Sequence, residues 1–242
     1  MRMGSAGIGR RGGRRSKSCY FTLLFQPDET RMKPPYWDRA TAHLAAADGV
    51  LANLIARYPD VHLTRRGEPF TVLARAIVGQ QISVKAAQSI WDRFAKATGA
   101  SGDPVQLDAG RVGRTRMATL RRVGLSERKA LYLRDLARHF TSGALDPREW
   151  PSLDDETLIE RLVDVKGIGR WTAEMFLIFH ELRADVFPVD DIGVQKAVAL
   201  HYRDGERMPV AELREFGSRW APYRSVATWY LWRSLDPIPV EY

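Results

Sequence analysis

The sequence predicts an all-α protein, and three observations carry this. Apolar residues recur at helical spacing from Trp37 to Trp232. Alternating runs that would read as strands are scarce; "RADVFPVD" (residues 183–190) is at best one short extended piece. Nothing supplies the strands between helices that a parallel-sheet nucleotide-binding fold requires.

The elements follow in chain order. Residues 1–33 read as a basic, flexible tail, rich in Gly, Ser and Arg, with no sustained period and too little apolar surface to order itself. Either Met32 is the natural start or the tail is a basic arm. The helical pattern begins at Trp37 in "YWDRATAHLAAADGVLANLIARYP". "EPFTVLARAIVGQQISVKAAQSIWDRFAKATG" supplies two helical runs around Gly79 and Gln80. "SERKALYLRDLARHFTSG" opens on Ser126, a good N-cap, and closes near Gly143. "DDETLIERLVDV" and "RWTAEMFLIFHEL" flank the short connector "KGIG". A helical run follows Asp190 and Asp191, and "MPVAELREFGSRW" and "APYRSVATWYLWRSL" complete the chain.

Composition bounds the function. The 242 residues suffice for one large domain or two lobes, with 45% hydrophobic and 27% charged residues as in ordinary globular proteins. The single cysteine, Cys19, excludes an intrachain disulfide and a four-cysteine iron–sulfur cluster. It fits a reducing cytoplasm. No apolar run reaches the length of a membrane span, and the apolar part of "RRGGRRSKSCYFTLLF" is short for a signal peptide, so no membrane partner is expected. The net charge of +8 suggests nucleic acid, yet residues 1–33 hold eight Lys/Arg and two Asp/Glu, which leaves the other 209 residues only +2. Local clusters must then do the binding. One stands at "RVGRTRMATLRRVGLSERK" (residues 111–129), readable as a solvated helical face or as a phosphate-facing patch.

The connector is the most informative stretch. Gly167 and Gly169 let backbone amides lie bare, and the next helix points its first N–H groups and positive dipole end the same way, so an anion is the natural partner. It is too short for a Walker loop. The alternative is an ordinary interhelical turn with a Gly C-cap. Downstream, one of the adjacent carboxylates Asp190 and Asp191 caps a helix, and the pair also sets one of them to face a cleft.

The ordered set "RAIVGQQIS", "VGLSERKALYL", "LVDVKGIGRWTAEMFLIF", "DVFPVDDIGVQKAV" and "WAPYRSVATWYLWR" resembles the helix-hairpin-helix base-excision DNA glycosylases, and within them the bacterial DNA-3-methyladenine glycosylase II group. The resemblance runs from about Tyr36 to Trp232. It implies a fold of two helical lobes with a central cleft. The middle of the chain, about residues 70–175, would form one lobe of a single glycosylase domain (residues 34–242), with the hairpin and Asp191 sharing the cleft mouth. With one cysteine no iron–sulfur cluster is expected, and with only about 35 residues before the helices neither is the large β-domain that some members carry there. Asp191, 24 residues after Gly167, takes the place of the catalytic carboxylate, with Asp190 more suited to capping the helix. Gly167 and Gly169 would hold a DNA phosphate, with Lys166, Arg170 and Thr172 beside them. Gln80 would lie near the flipped base, and Gln81 at the position of the side chain that fills the vacated stack, where some members carry an apolar wedge. Trp171 and Trp232 match aromatic walls of the base pocket, and Met175 stands where a Tyr can occur. The carbonyls of Val163, Val165 and Ile168 would face a monovalent cation, Na+ or K+; no other cofactor is implied.

The function implied is excision of alkylated purines such as 3-methyladenine from double-stranded DNA by a monomeric, cytoplasmic, nucleoid-associated enzyme of base excision repair. The lesion range stays open among 3-methyladenine, 7-methylguanine, ethenoadenine and hypoxanthine. Some relatives place a strand-cleaving Lys where "GIGRWTA" has Trp171. An indole has no nucleophilic amine, so hydrolysis without strand cleavage is expected; the alternative is that another Lys, such as Lys196, reaches into the cleft in its place. The competing reading is a non-catalytic module that uses the hairpin only to hold DNA.

Overall fold

In a computed structural model, which describes residues 33–65, 67–102 and 104–235, the chain is helical, and the only β-type pairing among those residues is an isolated bridge between Ser101 and Gln106. The basic tail and Cys19 lie outside the described residues. "RADVFPVD" forms no strand.

The first predicted helix is two. α1 (Trp37–Ala47) stops at Asp48, whose side chain accepts hydrogen bonds from the Val50 and Leu51 amides and so caps α2 (Gly49–Arg57). Asp48 is buried, and it also accepts from the Tyr202 hydroxyl and the Trp220 indole N–H, each at 3.0 Å. That network ties the N-terminal helices to the C-terminal part of the chain. α3 (Pro69–Gly79) starts with Pro at N1, where its missing N–H costs nothing, and buries nearly every side chain. α4 (Val84–Ala97) is capped by Ser83. Two six-residue helices that periodicity is too short to reveal follow, α5 (Ala109–Arg114) and α6 (Met117–Arg122). α7 (Glu127–Ser142) begins at the expected cap, Ser126, and ends at Gly143 in the left-handed conformation. α8 (Asp155–Val163), the hairpin and α9 (Arg170–Phe179) come next, then α10 (Ile192–Tyr202), α11 (Val210–Gly217) and α12 (Arg224–Leu235).

The helices pack in two sets. α3 to α7 contact one another, and α9 joins that set through α3 and carries α8 with it. α1, α2, α10 and α12 form the second set. The break falls between α9 and α10, so the hairpin helix and the segment bearing Asp191 meet at the junction of the two lobes. One apolar core runs through both, from Leu44 and Leu51 to Phe176 and Leu231.

Candidate functional site

Asp191 is the residue on which the junction closes. It is the N-cap of α10: Oδ1 accepts from the Val194 amide at 2.8 Å. Asp190, expected as the cap, is exposed and makes no such bond; the residue directly before Ile192 is the one whose side chain reaches the third helical amide. Asp191 does more than cap. Its Oδ2 accepts from the Trp171 indole N–H at 2.9 Å, and its Oδ1 accepts from the Trp232 indole N–H at 2.8 Å. The carboxylate therefore takes three N–H donors from α9, α10 and α12. It is 1% exposed, whereas both indoles are partly exposed. The indoles cover the carboxylate, and their N–H groups supply the donors a buried anion needs.

Trp232 stacks on Phe179, with ring centroids 5.5 Å apart and planes 11° from parallel. Phe179 had no sequence signal beyond an apolar helix position. Met175 is corrected from the pocket wall to the core: it is 1% exposed, packed inside α9.

The two hairpin glycines have different reasons. Gly167 has φ +90°, and a Cβ there would overlap the ring of Tyr132 on α7. Gly169, the N-cap of α9, has φ −92° and ψ 167°, a conformation open to any residue, and a Cβ there would meet nothing within 4 Å. The absent side chain at Gly169 leaves room before the first amides of α9, which have no intrahelical acceptor. Thr172 in that first turn is buried; Lys166, ahead of the hairpin, is exposed, and its amide donates to Asp135 Oδ2 at 2.9 Å. The Val165 carbonyl accepts the Ile168 amide at 3.0 Å, and Val163 is exposed at the end of α8.

Arg170 is not a free phosphate ligand. Its two Nη groups bind both oxygens of Glu156 on α8, and its Nε donates to Glu174 Oε1 at 3.1 Å. It braces the two hairpin helices. Glu174 is 4% exposed, and burial pushes its carboxyl up to about 7; the Arg170 charge opposes the shift and the nearby Asp190 adds to it. Neither brace was visible in the sequence, where Glu174 is simply a polar residue on an apolar helix.

Gln80 caps α3, and its Nε2 donates to the Gly167 carbonyl at 2.8 Å, so its amide lies on the hairpin. Gln81 is exposed and has φ +59°, a left-handed conformation uncommon for a residue with a side chain. The basic cluster at residues 111–129 is partly spent inside the protein. Arg111 donates to the Gly99 carbonyl, Arg121 pairs with Glu127, and Lys129 donates to the Val78 and Gln80 carbonyls. Arg114 of that cluster lines a groove of about 610 Å³ between α5 and α7 together with Arg134, Arg138, Lys166 and Asp135, and Arg138 pairs with Asp135. Among the described residues, no His, Cys, Asp and Glu cluster could hold a metal ion, and no helix is long and apolar enough to cross a membrane.

The lobe junction thus joins a glycine hairpin between two helices to a carboxylate held by two indoles. The chain belongs to the HhH-GPD superfamily of base excision DNA repair proteins, whose family model matches residues 74–222. It is 33% identical over 204 residues to DNA-3-methyladenine glycosylase 1 of Schizosaccharomyces pombe, covering 81% of this chain and 86% of that one. Among solved structures, a DNA-3-methyladenine glycosidase from Bacillus halodurans superposes with a TM-score of 0.76 at 35% identity, covering 88% of this chain and 94% of the other. The S. pombe 3-methyladenine DNA glycosylase in complex with abasic DNA superposes with a TM-score of 0.70 at 31% identity, covering 84% and 98%.

Proposed function

We propose that this protein is a monofunctional DNA glycosylase that flips alkylated purines such as 3-methyladenine out of duplex DNA and hydrolyses the N-glycosidic bond. The product is an abasic site, for base excision repair. The observation that carries this is the Asp191 carboxylate held by Trp171 and Trp232 at the lobe junction, next to the open helix start at Gly169.

The chemistry follows from these parts. A phosphate of the lesion strand binds at Gly167, Gly169 and the first turn of α9, where bare amides and the helix dipole meet it. Flipping costs roughly a few kcal/mol, least for a damaged base that pairs poorly. An N-alkylated purine carries positive charge, which makes it a better leaving group and draws it to an indole face by about 0.5–2 kcal/mol. As the bond from the sugar C1′ to the base nitrogen breaks, its electron pair leaves with the base and the sugar becomes oxocarbenium-like. Asp191 stabilises that cation, orients the water whose oxygen attacks C1′ and takes up the proton that this water loses, so the sugar ends with a neutral hydroxyl. Because the indoles cover the carboxylate, the sugar reaches it once one indole edge shifts on base insertion.

The carbonyls of Val163, Val165 and Ile168 are neutral oxygens of the kind that suit a weakly held Na+ or K+. Val165 keeps a lone pair beyond the one used by Ile168, so the hairpin can accept such an ion as a clamp beside the bound phosphate. The enzyme acts as a monomer on damaged double-stranded DNA at the nucleoid.

Two measurements on alkylated duplex DNA test the reading. Wild-type protein should release free base and leave a strand that breaks only after added alkali. Borohydride should trap no protein–DNA adduct, since Trp171 stands where a Schiff-base lysine would be needed. A strong adduct would refute the monofunctional assignment, and no release from any lesion would favour a DNA-binding module without catalysis.

A further inference from the structure

The ammonium of Lys129 sits where no catalytic or phosphate-binding role explains it. Lys129 lies in the first turn of α7, and its amide is held by the Ser126 cap. Its Nζ donates to the carbonyls of Val78 and Gln80, each at 2.7 Å, at the C-terminal end of α3 on a different stretch of chain. The last carbonyls of a helix have no intrahelical donor and carry the negative end of its dipole, so a cation there is stabilised and stabilising. The side chain is half-buried over these two carbonyls, and that burial, with the neighbouring Arg128 charge acting the same way, lowers the proton affinity of Lys129.

What this clamp holds is the Gln80–Gln81 tip. The Gln80 backbone is fixed by Lys129, and its side chain reaches across to the Gly167 carbonyl at 2.8 Å. One chain of contacts thus runs from α7 through the end of α3 to the hairpin. Gln81, the next residue, is exposed in the left-handed region at φ +59°. A residue with a Cβ leaves that region unless its neighbours are held. Lys129 is the group that holds the residue before it.

We propose that Lys129 is a positioning residue: by gripping the Val78 and Gln80 carbonyls it keeps Gln81 projecting, in register with the hairpin, so that Gln81 enters the gap a flipped base leaves. This rests on the glycosylase reading above. The role matters most when the lesion is well paired and its neighbours would otherwise restack, and least when unpairing is nearly free.

The test compares single-turnover base release from the same lesion in two duplexes, one with its best-pairing partner and one with a mismatched base opposite. For Lys129→Met, which keeps the stem and removes the donors, the ratio of paired to mismatched rate should fall at least tenfold below that of wild type. Lys129→Arg, which can still donate to both carbonyls, should recover most of the ratio. Gln81→Ala should lose a comparable factor on the paired duplex, and the double variant Lys129→Met/Gln81→Ala should be no worse than the poorer single variant. Should the Met variant fail to fold, Lys129→Gln serves the same comparison. Equal loss on both duplexes, an unchanged ratio, or additive losses in the double variant would overturn the proposal, because a purely structural lysine affects both substrates alike. If wild type releases no base from either duplex, the glycosylase reading falls and this inference with it; if wild type is active and the ratio does not move, this inference alone falls.

Discussion

Asp191→Asn is the substitution usually expected to silence a catalytic carboxylate without disturbing the fold, and in this protein it should disturb both. The carboxylate accepts from Val194 and Trp232 through Oδ1 and from Trp171 through Oδ2. An asparagine has one oxygen and one NH2. With its oxygen in the Oδ1 place it keeps Val194 and Trp232 but turns an N–H toward the Trp171 N–H; reversed, it loses two acceptors. Either way at least one charge-assisted bond is lost, at a cost of about 1–3 kcal/mol. For a chain of this size that lowers Tm by about 2–4 °C per kcal/mol. The rate should fall separately, by roughly 100-fold or more, the scale for removing one preorganised electrostatic group. The two effects can be separated with Trp171→Phe, which deletes the opposing N–H. In the double variant Asp191→Asn/Trp171→Phe the donor–donor conflict is absent, so the stability losses should be less than additive, with a coupling of about 1–2 kcal/mol. Base release should stay abolished. Urea unfolding and release of alkylated base measure the two axes. Strict additivity, or an Asn variant as stable as wild type, would refute the hydrogen-bond geometry. An Asn variant within tenfold of the wild-type rate would remove Asp191 from the chemistry.

The pH dependence of stability should carry the mark of Glu174. Its folded pKa is raised to about 7 from an ordinary 4.5, so between these values the folded state holds a proton that the unfolded chain has released. Stability therefore falls as pH rises through that window, by up to about 3 kcal/mol, and Glu174→Gln should flatten this decline when urea midpoints are compared at pH 5 and pH 8. An unchanged slope in the Gln variant would assign the decline to other groups. The hairpin glycines should separate cleanly. Gly167→Ala, with φ +90° and the Tyr132 ring in the way, should unfold more easily by more than about 1 kcal/mol, whereas Gly169→Ala should stay within about 1 kcal/mol of wild type. Binding of abasic duplex measured by fluorescence anisotropy should nonetheless weaken in Gly169→Ala, since its methyl enters the space before α9. A Gly169→Ala protein with undiminished affinity would place the phosphate elsewhere.

The parts of this site that the sequence displays and the parts it conceals divide along a physical line. Helical runs are written locally, in apolar spacing of three and four residues, and "KGIG" between two such runs announces its turn. Asp48 shows how a local signal can be overlooked: an Asp-Gly pair inside a continuous apolar pattern is a cap, and the helix breaks there. Short helices such as α5, with two glycines in six residues, have too few positions to display a period. The sequence shows Asp191 ahead of a helix, but no spacing rule tells that two indoles from α9 and α12 donate to its carboxylate, or that Arg170 is occupied by Glu156 and Glu174. These contacts are made at helix ends. An end has unsatisfied amides or carbonyls, and a buried end must find partners wherever the fold brings them. The Asp191 cap, the bare start of α9 at Gly169 and the clamped end of α3 at Gln80 are three such ends meeting at one junction. Groups that complete them come from distant sequence, so they are silent in any local reading. On the proposed glycosylase reading these same ends hold the flipped base, the sugar and the phosphate in register, because each has directed hydrogen-bonding capacity that the helices themselves cannot use.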